Sequence, residues 1–400
     1  MALDLTQLLL QLDGVLPGIK KLQADRRQWV YNACAALKDF DVDTYEALRQ
    51  NHEASLNYPI VAITRSPDAV YDPPLLPSDF SVASTDGSHI DVDRHSIAHV
   101  YVINVGTVLL TYGSKPDAVL EAKASLYGRK EDLVLSDEIG GGTERVEGPV
   151  LAAKRAVAEI EALAAALEKL PQATPTVAMV DGSLAYIGLR RGVHQDFVFR
   201  SILEDGFVAA LRKMQLTKRK LAVVGYISLP NSAEVVGALR LASCGLGPNE
   251  SLQCYSQNPD WQPCSQCVGD LRDRDVFGEL LRPGQRSEVF ELSSELMTQY
   301  YGDQAVRFFY LNVGTEVVRV EIPQWVAEDD ALLGFAHAVT LQQCLRNMGY
   351  PTALMEAHEQ AVISVGDRRA WSEILTGALE RGNLPVMSSE KDRSKRIRWL

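Results

Sequence analysis

The sequence predicts a mixed α/β fold, with one sheet, helices on its faces and a helical segment at the N-terminus. A β-rich stretch covers residues 80–112, and after it short apolar runs alternate with long helical runs. The chain has 400 residues, 46% of them hydrophobic, which is ample for a large buried core. No internal repeat is visible apart from two Asp-Gly-Ser triplets.

The first fifty or so residues are predicted to be helical. Leucines recur there at helical spacing, at Leu5, Leu8, Leu9 and Leu12. A proline-rich connection follows. We expect this helical region and its linker to occupy residues 1–77, and one large domain to occupy residues 78–400 with a cysteine-bearing insertion at about 244–267.

The large domain begins with β structure. A strand starts at Phe80 and is expected to end at Asp86, and residues 99–112 predict one or two further strands, bent at Gly106. Further strands are expected at 176–181, 221–227, 307–313 and 317–322. Helices are expected at about 149–170, 197–214, 331–348, 354–363 and 371–379.

Charge and targeting signals limit the possible classes. The N-terminus lacks a signal-peptide pattern and no apolar run reaches the roughly 20 residues of a spanning helix, so we expect a cytoplasmic protein with reduced cysteines. A net charge of −12 is unusual for a nucleic-acid enzyme, although basic residues form two clusters. These are Arg212, Lys213, Lys218, Arg219 and Lys220, and Lys391, Arg393, Lys395, Arg396 and Arg398. Each cluster could equally be a solvated surface.

The two Asp-Gly-Ser triplets begin at Asp86 and Asp181, each at the predicted end of a strand. A strand fixes the position of a carboxylate, and the glycine after it lets the chain turn away. Two such carboxylates on neighbouring strands could hold Mg²⁺ or Mn²⁺ ions for phosphodiester cleavage. The alternative is an ordinary turn, because Asp-Gly is common in turns.

A third carboxylate is expected from the helix between the two triplets. The candidates are Glu147, Glu159, Glu161 and Glu168. Glu159 lies on one helical stripe with Arg155 and Leu163, where it could be a ligand facing the sheet or an edge residue. His358, on an apolar helix near the C-terminus, could bind a metal ion, contact a phosphate or transfer a proton. It could also be a packing residue.

Six cysteines are present. Four lie in the segment 244–267, and Cys244, Cys254, Cys264 and Cys267 could hold a structural Zn²⁺ ion. The spacing is less specific than paired C-x-x-C motifs. Cys34 and Cys344 lie in predicted helices and are expected to pack. The sequence contains no P-loop, no G-x-S-x-G elbow and no dinucleotide fingerprint after a strand.

Three segments resemble the NurA nuclease family, bacterial branch, and occur in the family's order. They are Thr85-Asp-Gly-Ser, Met179-Val-Asp-Gly-Ser-Leu, and the Gly349-Tyr-Pro segment with its Glu-Ala-His-Glu-Gln-Ala run. Shorter likenesses occur at 290–295, 307–310, 319–327 and 388–396, so the resemblance extends from about residue 78 to the end.

The resemblance implies an RNase H-like core with two divalent ions, Mn²⁺ or Mg²⁺. It implies a 5′→3′ exonuclease with single-strand endonuclease activity, in DNA end resection and double-strand break repair. It further implies a homodimer that works with a HerA-type hexameric translocase. By motif, Asp86 and Asp181 become metal ligands and His358 an active-site residue and ligand. Glu159 is the chosen third carboxylate, with Glu161 or Glu147 as the alternatives in register. Tyr226 resembles a family tyrosine near the phosphate.

Two other functions are compatible with the same residues. One is a catalytically inactive, DNA-binding scaffold subunit of a translocase complex. The other is a different two-metal phosphoryl hydrolase, such as a phosphatase.

Overall fold

The structure is a computed structural model that describes residues 4–52, 60–93, 97–137, 140–186, 188–189, 193–243 and 268–385. Its strands are β1 (Val70–Tyr71), β2 (Phe80–Ile90), β3 (Tyr101–Tyr112), β4 (Asp117–Tyr127), β5 (Val134–Ser136), β6 (Thr143–Arg145), β7 (Thr176–Asp181), β8 (Leu221–Ile227), β9 (Arg286–Ser287), β10 (Phe290–Glu291), β11 (Val306–Asn312) and β12 (Val317–Pro323). Its helices are α1 (Leu5–Lys38), α2 (Val42–His52), α3 (Lys130–Leu133), α4 (Pro149–Ala166), α5 (Asp196–Phe199), α6 (Ala209–Gln215), α7 (Glu234–Ala242), α8 (Asp273–Leu280), α9 (Gln324–Ala327), α10 (Asp330–Arg346), α11 (Thr352–Ala361) and α12 (Val365–Arg381).

The chain divides into two compact units. The first contains Met1–Pro73, Ile227–Ser294 and Arg307–Val320, and the second contains Pro74–Tyr226, Glu295–Val306 and Glu321–Leu400. The N-terminal helices thus group with segments from the middle of the chain. The division into residues 1–77 and 78–400 stays a prediction of sequence organisation.

The first unit packs α2, α7, α8 and the C-terminal half of α1 around short strands. Its core includes Leu37, Tyr45, Phe277, Phe308 and Tyr310. A buried carboxylate, Asp273, accepts hydrogen bonds from the backbone N–H groups of Val235 and Val236 and from the Tyr310 hydroxyl, at 3.2, 2.8 and 2.7 Å. These three hydrogen bonds satisfy the buried Asp273 carboxylate. Because two of the donors are backbone N–H groups in the first turn of α7, Asp273 stabilises the start of that helix.

The second unit contains the sheet of the predicted large domain. Five of its strands lie in the order β4-β3-β2-β7-β8. The strands β2, β3 and β4 form an antiparallel meander, whereas β7 pairs parallel with β2, and β8 pairs parallel with β7. Helix α4 connects the meander to β7 and packs on β2 and β3, while α11 also packs on β2 and β3.

This strand order and these directions are those of an RNase H-like sheet. The predicted fold class, a mixed sheet with flanking helices and a helical N-terminal extension, is therefore confirmed. No helix among the described residues is both long and apolar enough to cross a membrane.

Of the one or two strands expected at residues 99–112, the structure has one, β3 (Tyr101–Tyr112), which is continuous through Gly106. One prediction about the strands is wrong, because β2 does not end at Asp86 but continues to Ile90. The cause is the antiparallel pairing with β3, which holds all eleven residues of β2 from Phe80↔Tyr112 to Ile90↔Val102. The first Asp-Gly-Ser triplet therefore lies inside a strand and is not a turn.

Candidate active site at the two Asp-Gly-Ser segments

The two aspartates lie at the same level of the sheet. Antiparallel pairing aligns Asp86 with Gly106, and parallel pairing aligns Asp181 with Tyr226. Each aspartate comes one residue after the last paired residues of β2 and β7, Thr85 and Val180. Residues at one level of adjacent strands point to the same face. The two carboxylates are therefore neighbours on one face of the sheet.

That face is covered by α11, which carries His358. A side chain at Gly106 would clash with the Ala357 carbonyl oxygen, so the glycine allows the helix to approach the strand closely. The Ser88 hydroxyl and the Asn104 amide both donate to the Ala361 carbonyl oxygen at the end of the helix. These contacts fix α11 over β2 and β3.

His358 reaches the first aspartate. Its Nδ1 atom lies 2.8 Å from Asp86 Oδ2, and the imidazole side chain is 60% exposed. Asp86 Oδ1 also accepts a hydrogen bond from the Gly87 N–H group, at 2.7 Å. The aspartate is thus oriented by two contacts while its histidine partner stays accessible to a substrate.

Glu159 approaches from α4, on the opposite face of the sheet. The Thr85 hydroxyl donates to the Glu159 carbonyl oxygen at 2.9 Å, which seats this turn of the helix on β2. The Glu159 carboxylate then occupies the space beside Gly87, where an added Cβ atom would overlap with Oε1. Because residues alternate along a strand, Gly87 faces α4 whereas Asp86 faces α11. The glycine therefore leaves room for a carboxylate.

Glu159 is buried, and its ion-pair partner is Arg155. Its side chain is 11% exposed, and its Oε1 atom is buried without a hydrogen-bond partner in the described residues. Burial, opposed by Arg155 and reinforced by the charges of Asp86 and Asp181, raises the pKa of Glu159 to about 8. Arg155 Nε lies 3.1 Å from Oε1, and Arg155 Nη1 donates to the Gly87 carbonyl oxygen. A buried acid beside two more acids is typical of a functional site.

Asp181 is held from the side of α11. The Tyr350 hydroxyl donates a hydrogen bond to it. Desolvation by its neighbours raises the pKa of Asp181, and the charge of Asp86 adds to this, while Tyr350 and His358 oppose it. Gly182 follows with a φ of +112°, a backbone conformation that favours glycine, and turns the chain out of β7.

The loop after Gly182 is anchored by a second buried carboxylate. Glu321 Oε2 accepts hydrogen bonds from the Ser183 hydroxyl, at 2.7 Å, and from the Leu184 N–H group, at 2.8 Å. The Tyr301 hydroxyl donates to the Leu184 carbonyl oxygen and accepts from the Tyr186 N–H group. This network fixes the exit of the chain from β7 and so the position of Asp181.

The donor set suits a hard divalent cation. Three carboxylates from three elements, with an imidazole beside one of them, are the oxygen-rich ligands that Mg²⁺ and Mn²⁺ prefer. A cation would favour the charged form of the Glu159 carboxylate, which is buried and whose pKa is raised although Arg155 Nε lies 3.1 Å from Oε1. Among the residues that the structure describes, no three acidic, imidazole or thiol groups are already spaced to hold an ion. The residue types therefore fit a metal site, but their side chains are not arranged as a formed cage.

Comparison with known families shows which family the chain belongs to. A model of the NurA domain matches residues 80–363, which is most of the chain and includes both triplets, α4 and α11. The chain belongs to the NurA family. NurA proteins are nucleases, so membership supports a nuclease function for this chain.

Other comparisons found more distant likenesses. The sequence has no match among curated proteins. Among solved structures, the catalytic domain of human Endonuclease V is similar with a TM-score of 0.33 and 14% identity, over 84% of this chain and 97% of that one. The Prototype Foamy Virus protease-reverse transcriptase is similar with a TM-score of 0.21 and 16% identity, over 46% of this chain and 22% of that one.

Most of the residues expected from the NurA resemblance come together. Asp86, Asp181 and His358 lie together on the α11 side of the sheet, whereas Glu159 approaches from the α4 side beside Gly87. Their metal-binding and catalytic roles stay predictions. The other acidic candidates point elsewhere: Glu161 is exposed, and Glu147 lies 3.6 Å from Arg145.

Tyr226 lies behind the site. It is fully buried, its hydroxyl donates to the Gly349 carbonyl oxygen at 3.2 Å, and Cys344 donates to that hydroxyl. Its ring meets the Tyr350 ring edge-on, with centroids 5.4 Å apart. In this position Tyr226 supports Tyr350, and its own hydroxyl is not presented to a phosphate.

The predicted cysteine site and the two basic clusters are the remaining predicted groups of residues. Cys244, Cys254, Cys264 and Cys267 lie outside the described residues, as does the C-terminal basic cluster. In the other basic cluster, Arg219 donates to the carbonyl oxygens of Leu167 and Leu170, and Arg212 pairs with Asp303. Much of that cluster serves structure.

Sequence reasoning assigned no role to three residues that hold the site: Arg155, Tyr350 and Glu321. Arg155 was visible as the partner of Glu159 four residues later, and Tyr350 stands in the Gly-Tyr-Pro landmark. Glu321 had no signal, because its contact with Ser183 joins residues 138 positions apart.

Proposed function

We propose that the chain is a metal-dependent DNA nuclease with a two-metal-ion mechanism. In the proposed role it is a 5′→3′ exonuclease with single-strand endonuclease activity that acts in DNA end resection and double-strand break repair. The observation that supports this best is the position of Glu159, a buried carboxylate beside Gly87 whose pKa is raised to about 8 by burial and by the charges of Asp86 and Asp181, against the opposing effect of Arg155.

Asp86, Asp181 and Glu159 are the proposed ligands of Mn²⁺ or Mg²⁺, with His358 completing the set. Such ions would activate water and stabilise the attacking and leaving oxygens of a phosphodiester. The chain's own residues set the geometry. The Gly87 N–H group and His358 orient Asp86, Tyr350 orients Asp181, and Arg155 holds Glu159.

His358 is also the proposed group for proton transfer. Its side chain is 60% exposed, and its Nδ1 contact with Asp86 fixes the ring orientation. Tyr226 has an indirect role in this proposal, because it packs under Tyr350, which in turn holds Asp181.

The proposed partners follow from family membership. They are DNA, a HerA-type hexameric ATPase that translocates DNA to the nuclease, and a second copy of the chain, in the cytoplasm. The cysteine segment is proposed to hold a structural Zn²⁺ ion. Basic residues facing the DNA would offset the net charge of −12.

A cleavage assay tests the activity. Linear DNA labelled at the 5′ end or at the 3′ end is incubated with the protein and Mn²⁺, Mg²⁺ or EDTA. We expect cleavage only with a divalent ion, with mononucleotides released first from the 5′ label. First release from the 3′ label would refute the polarity, and no cleavage with any ion would refute the nuclease.

Two further measurements on the unchanged protein distinguish the proposed nuclease from the two alternative functions. A scaffold subunit would show no stabilisation of the fold by Mn²⁺ in thermal unfolding, whereas a metal site of carboxylates predicts a higher Tm with Mn²⁺ than with EDTA. A phosphatase would release phosphate from a small phosphomonoester in preference to cleaving linear DNA.

A further inference from the structure

The last residues of β2 have a free edge beside the proposed metal site. Strand β7 pairs with β2 only from Ser81 to Thr85, and among the described residues no other strand pairs with that edge beyond Thr85. The Ser81 N–H group points to this side, since it donates to the Pro175 carbonyl oxygen at 2.8 Å, just before β7. Backbone groups of alternate residues in a strand point to the same edge. The carbonyl groups of Gly87 and His89 therefore also point to the free edge.

Two arginines from different helices bind these two carbonyl groups. Arg155 of α4 donates through Nη1 to the Gly87 oxygen, and Arg368 of α12 donates through Nη2 to the His89 oxygen, each at 3.1 Å. Because a strand rises about 3.3 Å per residue, the two points of attachment are about 6.7 Å apart. This spacing is comparable to that of neighbouring phosphates along an extended nucleic-acid strand. The two arginines form a row that begins at Glu159, whose Oε1 atom lies 3.1 Å from Arg155 Nε.

The His89 imidazole is close to both guanidinium groups. Burial lowers the pKa of His89, Asp91 raises it from a distance of 3.8 Å, and the charges of Arg155 and Arg368 both lower it. Both arginines thus act on one side chain. The two positive charges are neighbours on the free edge of β2.

Both arginines keep donors for a ligand. A guanidinium group carries five N–H groups in a planar fork that matches the oxygens of a phosphate. Arg368 is exposed, and among the described residues its side chain makes one hydrogen bond, through Nη2. The Arg155 side chain is 35% exposed, and its contacts with described residues use Nη1 and Nε. Each guanidinium group therefore has N–H groups left for an anion.

The start of α12 holds Arg368 in place. The Ser364 hydroxyl and the Ser364 N–H group donate to Asp367 Oδ2 at 2.7 and 2.9 Å, and the Asp367 N–H group donates back to the hydroxyl at 3.1 Å. This cap fixes the first turn of the helix. It also engages the acid next to Arg368, which leaves the arginine for other partners.

We propose that Arg155 and Arg368 hold one strand of DNA by successive backbone phosphates, with Arg368 one phosphate further from the metal site than Arg155. The contact is with the sugar-phosphate backbone, so it is independent of base sequence. The proposal rests on the proposed function for the identity of the substrate. It adds to that function two residues that guide the strand into the site.

DNA binding without cleavage is the first test. Fluorescently labelled single-stranded DNA is titrated with protein in EDTA at several salt concentrations, and anisotropy gives the Kd. Arg368→Gln should bind more weakly, and the slope of log Kd against log salt should fall by about 0.7, the value for one phosphate contact on a single strand. Arg155 is left unchanged because it also holds Glu159.

The matched control is Arg369→Gln. It removes the same charge from the next residue of α12, which is also exposed, and its salt slope should equal that of the unchanged protein. Circular dichroism checks that both variants fold. An unchanged slope in Arg368→Gln, an equal fall in both variants, or no binding of DNA by the unchanged protein overturns the proposal.

A single neutral linkage locates the contact along the strand. DNA with one phosphate replaced by an uncharged methylphosphonate is digested with Mn²⁺. The unchanged protein and Arg369→Gln should slow when this linkage is the second phosphate from the cut, whereas Arg368→Gln should show no added slowing there. The same slowing in Arg368→Gln, or none in the unchanged protein, refutes the assigned position.

The binding test separates this proposal from the proposed function. A protein that binds DNA with the expected salt slopes but cleaves none with any ion refutes the nuclease and leaves the two arginines as a phosphate-binding site. A protein that cleaves DNA while Arg368→Gln keeps the slope of the unchanged protein refutes the role of the arginines and leaves the nuclease.

Discussion

The two Asp-Gly-Ser segments share three residues but use them differently. In Asp86-Gly87-Ser88 the chain stays in β2, so the residues alternate between faces: Asp86 meets His358, Gly87 leaves space for Glu159, and Ser88 donates to the end of α11. In the segment that begins at Asp181 the strand ends, and Gly182 turns the chain.

The difference shows what each glycine contributes. Gly87 is needed because a Cβ atom at this position would overlap with the Glu159 side chain. Its backbone conformation is that of a strand, which other residues also adopt. Gly182 is needed for its own backbone, with φ at +112°, and nothing lies within 4 Å of the position of its Cβ atom. The same motif thus supplies a spacer in one strand and a turn in the next.

The largest loss of activity is expected from substituting the aspartate, which has the same proposed role as a metal ligand in both segments. Asp86→Asn and Asp181→Asn should each reduce Mn²⁺-dependent DNA cleavage at least about a thousandfold, because each removes a charged ligand worth several kcal/mol of transition-state stabilisation. Turnover of end-labelled DNA measures this, and circular dichroism checks that both variants fold. Near-normal cleavage by either folded variant would contradict the proposed ligand set.

The glycines should separate the segments. Gly87→Ala should reduce cleavage about a hundredfold with little change in stability, since the flexible Glu159 side chain can move away from the new methyl group but then leaves the site. Gly182→Ala should instead lower the free energy of unfolding by about 1–3 kcal/mol through backbone strain. Cleavage rates and urea unfolding measure both.

A rescue sharpens this test. Combining Gly87→Ala with Glu159→Asp shortens the acid by one methylene and should restore part of the lost cleavage, whereas Glu159→Asp alone should not improve the unchanged protein. Equal loss of activity in Gly87→Ala and Gly182→Ala, with equal loss of stability, would contradict the distinction.

Glu159, which lies beside the first segment, should impose a pH dependence on metal binding. Its pKa is about 8, so below that pH an ion must displace a proton, and Mn²⁺ affinity should rise by up to about tenfold per pH unit between pH 6 and 8. Calorimetry at several pH values measures this. Glu159→Gln should bind weakly, with a flatter profile, and an unchanged slope in that variant would exclude Glu159 as the source.

The same shift acts on stability without metal. Since the folded state holds the proton of Glu159 more tightly than its ordinary pKa of 4.5 allows, its contribution to stability is full below pH 4.5 and is lost as the pH rises through about 8. Glu159→Gln should remove that part of the pH dependence in thermal unfolding.

The serines should give the smallest effects. Ser183→Ala removes a donor from the buried Glu321 carboxylate and should lower the free energy of unfolding by about 2 kcal/mol. Ser88→Ala should cost about 1 kcal/mol, because Asn104 still donates to the Ala361 carbonyl oxygen. Urea unfolding of both variants compares them, and a larger loss for Ser88→Ala would reverse the expected order.

The sequence by itself determined the elements with strong local patterns. The helix α4, the buried strands β7 and β8 and the C-terminal helices follow from apolar runs and periodicity. The family motifs predict Asp86, Asp181 and His358 as site residues. The position of Asp181 at the end of a strand also follows from the short apolar run before it.

Tertiary structure decided the rest. Strand β4, Asp117–Tyr127, contains Ala, Leu, Glu and Lys residues that favour helix, and only its pairing with β3 makes it a strand. Pairing with β3 likewise carried β2 past Asp86.

The choice of Glu159 over Glu161 depended on which side of α4 meets the sheet, and the role of Gly87 on how closely that helix approaches. Local sequence determines secondary-structure preference and the spacing of apolar residues. The meeting of side chains from β2, β7, α4 and α11 depends on contacts between residues far apart in the chain.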